Sequence, residues 1–169
     1  MKSVRRFFAG AFALALMVSV SACTTMGSTT SFNTAELNND ATAIAYAVQA
    51  IEGIPEIKSH LTAAQSAQFD DLVAQIKSVT AQIAANSNGS IAVDTGKDWA
   101  KHLGDDLQTL LAIATPIVKV YDPSAATYMS TVSAMIPLVE ALAGVSAVQA
   151  KALPENPAAV RARIYQGVV

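Results

Sequence analysis

In a chain of 169 residues there is one cysteine, two histidines and one tryptophan, and only 14% of the residues are charged. A lone cysteine excludes an intramolecular disulfide, so stability must come from packing. Zinc sites draw on converging cysteines and histidines, and that material is missing. No glycine-rich phosphate loop occurs, and no strained elbow motif presents a nucleophile. His60 follows Lys58 and Ser59 without a motif that would make it a nucleophile's base. These shortages predict a protein that is not an enzyme, with no catalytic, metal-binding or cofactor-binding residues.

Positive charge is also scarce, at eleven Lys and Arg against thirteen Asp and Glu. Three of the cations, Lys2, Arg5 and Arg6, lie at the extreme N-terminus; beyond them only Arg161 and Arg163 sit close together. Phosphate backbones are bound by clustered cations, so nucleic acid is excluded as the main partner.

What the chain does have begins with those three cations. They precede Phe7 to Val20, an apolar run broken only by Gly10 and Ser19. The run is shorter than the ~20 residues that span a bilayer, and it has the length of a secretory signal core. It ends in Val20, Ser21, Ala22 and Cys23. This stretch resembles the signal peptide of bacterial lipoproteins, whose lipobox has an aliphatic residue, two small residues and a modified cysteine.

The resemblance covers the first 23 residues and implies several things about them. Residues 1–22 are a cleaved signal recognised through Val20, Ser21 and Ala22. Cys23 receives a diacylglycerol on its sulfur and often a further acyl chain, such as palmitate, on its new amino group. No cofactor is implied beyond this covalent lipid, and the membrane is a partner through the anchor. Thr24, rather than an aspartate, implies the outer membrane of a Gram-negative bacterium, with the body facing the periplasm. Each buried methylene contributes about 0.8 kcal/mol, so two or three chains hold a protein almost permanently.

Removing residues 1–22 leaves 147 residues with eight cations against thirteen carboxylates, a net charge of about −5. One domain of that size buries a core without staples. Residues 23–32 are small and polar, rich in Ser and Thr, and read as a lipidated flexible tether. Residues 33–169 read as a helical bundle domain.

Four segments of that body carry the helical apolar period and none carries a period of two, so the fold class is all-α. In the first, Asn33 and Glu36 suggest a capping box, Leu37, Ala41, Ile44, Val48 and Ile51 form a stripe, and Gly53 and Pro55 end it. The second opens on Thr62 and Gln65, buries Phe69, Leu72, Val73, Ile76, Val79 and Ile83, and closes at Asn86 to Gly89. For the third, a start at Thr95 is expected, with a stripe through Trp99, Leu103, Leu107, Leu110, Ala114, Ile117 and Tyr121, and a kink at Pro116. Asp122-Pro123 restarts the chain. The fourth helix carries Tyr128, Met129, Val132, Met135, Ile136, Val139 and Leu142, with Gly144 at or near its end. Asn156-Pro157 opens a short terminal helix through Arg161 and Ile164. Short connections between four amphipathic helices predict an up-down bundle.

Three features of the body bear on function. Asp98, His102 and Asp106 fall at i, i+4 and i+8 beside Asp105. Successive turns of one straight helix cannot surround an ion, so they read as a solvated face rather than a metal or acid-base site. The fourth helix has Glu140 as its single charge from Pro123 to Gln149, which makes it either the central helix or a partner-binding one. Tyr46, opposite the first stripe, is a candidate exposed aromatic. Between Leu107 and Ala150, Lys119, Asp122 and Glu140 interrupt the apolar surface, so this region reads as core rather than a membrane hairpin.

The functional expectation is a non-enzymatic, lipid-anchored envelope protein with a structural role or a protein partner in the envelope. Two alternatives stay open. One is a prophage or host lipoprotein that modifies the envelope by occluding a receptor. The other is a carrier of an apolar ligand in a cavity near Met129 and Met135.

Overall fold

The computed structural model describes residues 23–26, 29–144 and 156–168. Among these lie a two-stranded ribbon, β1 (Cys23–Met26) and β2 (Thr29–Phe32), and seven helices. The helices are α1 (Thr34–Glu52), α2 (Pro55–His60), α3 (Ala63–Ala85), α4 (Val93–Tyr121), α5 (Pro123–Ser133), α6 (Ile136–Ala143) and α7 (Pro157–Ile164). The body is an all-α bundle, as the periodicity predicts.

Local chemistry explains most of the helix ends. Thr62 and Gln65 form a complete capping box at the start of α3. Asp122 accepts from the backbone N–H of Ala125 at 3.2 Å, and Pro123 occupies the first position of α5, where a missing N–H costs nothing. Asn156 and Pro157 repeat that arrangement at α7. Gly144 closes α6 in the left-handed conformation at φ 74°, which glycine adopts without steric cost.

Four details differ from expectation. The first is α2, whose six residues begin at Pro55 and are too few for apolar periodicity to declare them. The second is the start of α4 at Val93, two residues before Thr95, with Ala92 as its cap. Third, the expected fourth helix is divided at Ala134 and Met135 into α5 and α6, while α4 is helical on both sides of Pro116. Pro137 has no N–H to give to Ser133, and the chain tightens there through Met135 N–H to Val132 O at 2.9 Å. Pro116 and Ala112, whose carbonyl loses its partner to the proline, are both exposed, so water can serve that carbonyl.

The fourth difference is the ribbon itself, since Cys23–Met26 and Thr29–Phe32 are paired antiparallel strands where no strand was expected. Cys23 is the register partner of Phe32, Thr24 of Ser31, Thr25 of Thr30 and Met26 of Thr29. Threonine is β-branched and suits a pleated ribbon, so polar composition concealed strand propensity. Phe32, only 6% exposed, joins the core. A Cβ on Gly96 of α4 would stand 2.6 Å from the Phe32 ring, so glycine alone fits beneath it.

The expected stripes of α1 and α3 are buried throughout, except that Val79 is only partly so. The α4 stripe is rotated from expectation. Ala100, Leu103, Leu107, Leu110, Leu111, Ala114 and Val118 are buried, while Trp99 and Ile117 are partly buried and Tyr121 is 53% exposed. Of the stripe spread over α5 and α6, every member is buried except Ile136.

Helix α4 is the central one, packed against α1, α2, α3, α5 and α6. The α5–α6 pair was a candidate for that place, but its outer face, including Ser124, Thr127, Ser130 and Ser133, is exposed. Two hydroxyls on α5 bond back into the helix, Ser130 to Ala126 O and Thr131 to Thr127 O, which explains how so few charges suffice there. Within Pro123–Ala143 an 18-residue window, of mean hydropathy 1.2, is apolar enough to cross a membrane by length and composition, and 44% of that window is buried inside the bundle.

Candidate functional site

The most unusual polar chemistry lies where the last helix meets the first. Asp40 follows Leu37 by three residues and precedes Ala41, so α1 carries it to the edge of the apolar stripe, where it is 1% exposed. Glu36 stands one turn earlier on the same face. An isolated buried carboxylate costs many kcal/mol, so Asp40 requires a partner. The partner comes from 121 residues away. Arg161 Nη1 on α7 donates to Asp40 Oδ1 and to Glu36 Oε1, each at 2.6 Å.

Burial pushes the Asp40 carboxyl up to about 6, against the opposing hydrogen bond and charge of Arg161, and the charge of Glu36 adds to the rise. Glu36 was expected to close a capping box. Asn33 does cap α1 by accepting from Glu36 N–H at 3.0 Å, but the Glu36 side chain turns to Arg161 instead.

The rest of the α7 attachment is modest. Val160 and Ile164 are its buried apolar side chains. Tyr128 of α5 donates its hydroxyl to Ile164 O at 3.4 Å, and burial, reinforced by nearby Tyr46, pushes that phenol up to about 12. Beyond α7, Tyr165 meets Tyr46 edge to face with centroids 5.4 Å apart. Tyr46 is therefore exposed, at 40%, but already in contact. Between α5 and α7 lies a crevice of about 390 Å³, with the hydroxyls of Ser124, Thr127 and Thr131 on one wall and Arg163 and Gln166 on the other.

A second groove, of about 510 Å³, lies between α4 and the α5–α6 break. Leu111, Pro116 and Ile136 give it apolar walls, and Lys119 and Ser133 also line it. Met129 and Met135 line neither recess and are buried in the core.

Of the residues singled out from sequence, Cys23 is in β1, opposite Phe32. Val20, Ser21 and Ala22 lie outside the described residues. Asp98, His102 and Asp105 are on the exposed face of α4, and Asp105 pairs with Lys101 at 3.6 Å. Asp106 is raised by burial, which the charge of His102 opposes and that of Asp105 reinforces. Among the described residues, no three histidine, cysteine or acidic side chains form a group able to hold a metal. His60 stacks on Tyr121 with centroids 3.5 Å apart, at the end of the bundle remote from Gly96. The run from Gly96 to Tyr121 rises about 38 Å at 1.5 Å per residue.

Sequence reasoning missed the Arg161 cluster. Its signal was present in part: Glu36 and Asp40 place like charges on one turn of a helix, an arrangement that calls for a cation. Comparison of the chain with protein-family models, curated proteins and solved structures finds no match in any of the three.

Proposed function

We propose that the chain is a non-catalytic envelope lipoprotein, acylated on Cys23 and carrying its helical bundle as an interaction module for a protein partner. The outer membrane, with the body facing the periplasm, is the location implied by the lipobox and Thr24. The observation that carries this reading is the pairing of Cys23 with Phe32, because Phe32 is seated on Gly96. Paired Cα atoms in an antiparallel ribbon stand about 4.5 to 5.5 Å apart, so lipid on Cys23 would be joined closely to the bundle. A close coupling favours presentation over mere retention. The far end of α4, with Val120 68% exposed and the Tyr121–His60 stack beside it, would then face away from the anchor. Confinement of such a surface raises its effective concentration toward neighbouring envelope proteins.

Intact-mass analysis of the protein purified from its own envelope tests the anchor. A mass increase from a diacylglycerol and a further acyl chain on Cys23 is expected, and a bare thiol there would overturn the reading. Crosslinked pull-downs of the wild type and Cys23→Ala test the partner. Loss of specific partners from the soluble variant supports tethering, whereas recovery of no specific partner from either form removes the interaction role.

A further inference from the structure

We infer that α7 is a detachable latch on the α1–α5 face, seated by Arg161 on Asp40 and Glu36 and able to open while the rest of the bundle stays folded. Three observations carry this. The helix is eight residues long, too short to be stable in water away from the body. It packs on α1 and α5, at the edge of the bundle, and not among the helices surrounding α4. Its seat is polar at the centre, with two aliphatic side chains, Val160 and Ile164, and one long hydroxyl bond from Tyr128 to Ile164 O.

The seat of α7 runs beside the main stripe of α1, although Val160 and Ile164 join the same core. Leu37, Ala41, Ile44, Val48 and Ile51 lie on the α1 stripe, whereas Glu36, Asp40, Ala43 and Ala47 follow an adjacent one at helical spacing. Opening α7 uncovers the carboxylate pair, together with Tyr128 and the Tyr46 ring. The α5–α7 crevice opens with it, since Arg163 and Gln166 form one of its walls.

The latch is graded by pH through Asp40. The groups acting on Asp40 are Glu36 of its own helix and Arg161 of α7, with the phenol of Tyr128 at the α5 side of the seat. Glu140, the only titratable residue of α6, lies instead against Gly104 of α4. In the closed form Asp40 titrates near 6, and in the open form water returns it toward its ordinary 3.8. The closed form therefore holds its proton more tightly, so the latch is tighter at pH 5 than at pH 7, by about tenfold.

Hydrogen exchange of the full mature chain, followed by mass spectrometry and corrected for intrinsic rates, tests the inference. At pH 7 the α7 amides are expected to exchange at least tenfold faster than those of Leu103–Leu110, and lowering the pH to 5 should slow α7 by about tenfold. Arg161→Ala should remove α7 protection while α3 and α4 keep theirs. Asp40→Asn should leave α7 docked and abolish its pH dependence. Equal exchange of α7 and α4 in the wild type, unchanged α7 protection in Arg161→Ala, or loss of protection in all helices together would each overturn the latch. A wild-type α7 insensitive to pH would overturn its grading by Asp40.

Discussion

Helices α4 and α7 are held to the same body by opposite means. Helix α4 spans 29 residues and buries a continuous row of aliphatic side chains against five other helices. Helix α7 spans eight and rests on an arginine shared by two carboxylates. Apolar burial is non-directional and tolerates small shifts, and it grows with the area removed from water. A buried ion cluster depends on geometry, and its Coulombic gain is largely offset by desolvation, so it stabilises little yet is costly to break from one side. The contrast teaches that two helices of one body need not share one stability.

The largest expected break is in α4. Leu107→Ala should lower global stability by about 2 to 5 kcal/mol, because Leu107 is wholly buried and leaves a cavity. Denaturant unfolding measures this, with a fall in the midpoint at unchanged slope. A loss below 1 kcal/mol would show that α4 is not the centre of the core.

Asp40 sharpens the other side of the comparison. Its folded value near 6 exceeds its ordinary 3.8, so the native state binds the proton more tightly than the unfolded chain does. Its favourable contribution is full below about pH 3.8 and is lost as pH rises through about 6, a change on the order of 3 kcal/mol. Glu52, lowered by its hydrogen bond from Lys77, and Asp122, lowered by Ser124, act in the opposite sense, and both remain in Asp40→Asn. The stability difference between wild type and Asp40→Asn, measured from pH 4 to pH 7, should therefore fall in favour of the variant by about that amount.

Gly96→Ala probes the joint between ribbon and bundle. The added methyl would meet the Phe32 ring at 2.6 Å, so Phe32 must be displaced, at a cost of about 1 to 3 kcal/mol. Faster hydrogen exchange confined to residues 29–32 and the start of α4 is the expected signature. The smallest effect is at Thr62, where alanine should cost about 1 kcal/mol by removing the capping box of α3. A thermal scan should register it as a small drop in Tm.

Legibility followed the same division. The stripes of α1, α3 and the α5–α6 segment could be read because each apolar residue repeats within its own helix. The α4 stripe was misplaced by part of a turn because adjacent apolar residues such as Leu110 and Leu111, or Ile117 and Val118, offer two apolar arcs, and only the neighbouring helices choose between them. Helix α2 is too short for a period, and the ribbon's Thr and Ser residues imitate a linker. Of the Arg161 seat only the acidic half could be read, Glu36 and Asp40 one turn apart, since nothing local pairs residue 161 with them.

Sequence alone determined that this chain folds as amphipathic helices with capped ends, and that a cysteine follows a signal-like segment. These properties depend on neighbours within a few positions, through backbone dihedrals, capping hydrogen bonds and the 3.6-residue period. Only the tertiary structure decided which face of α4 is central, how Phe32 meets Gly96, and which carboxylates receive Arg161. Those outcomes depend on steric fit and desolvation between residues far apart in the chain, which exist only once the helices have come together.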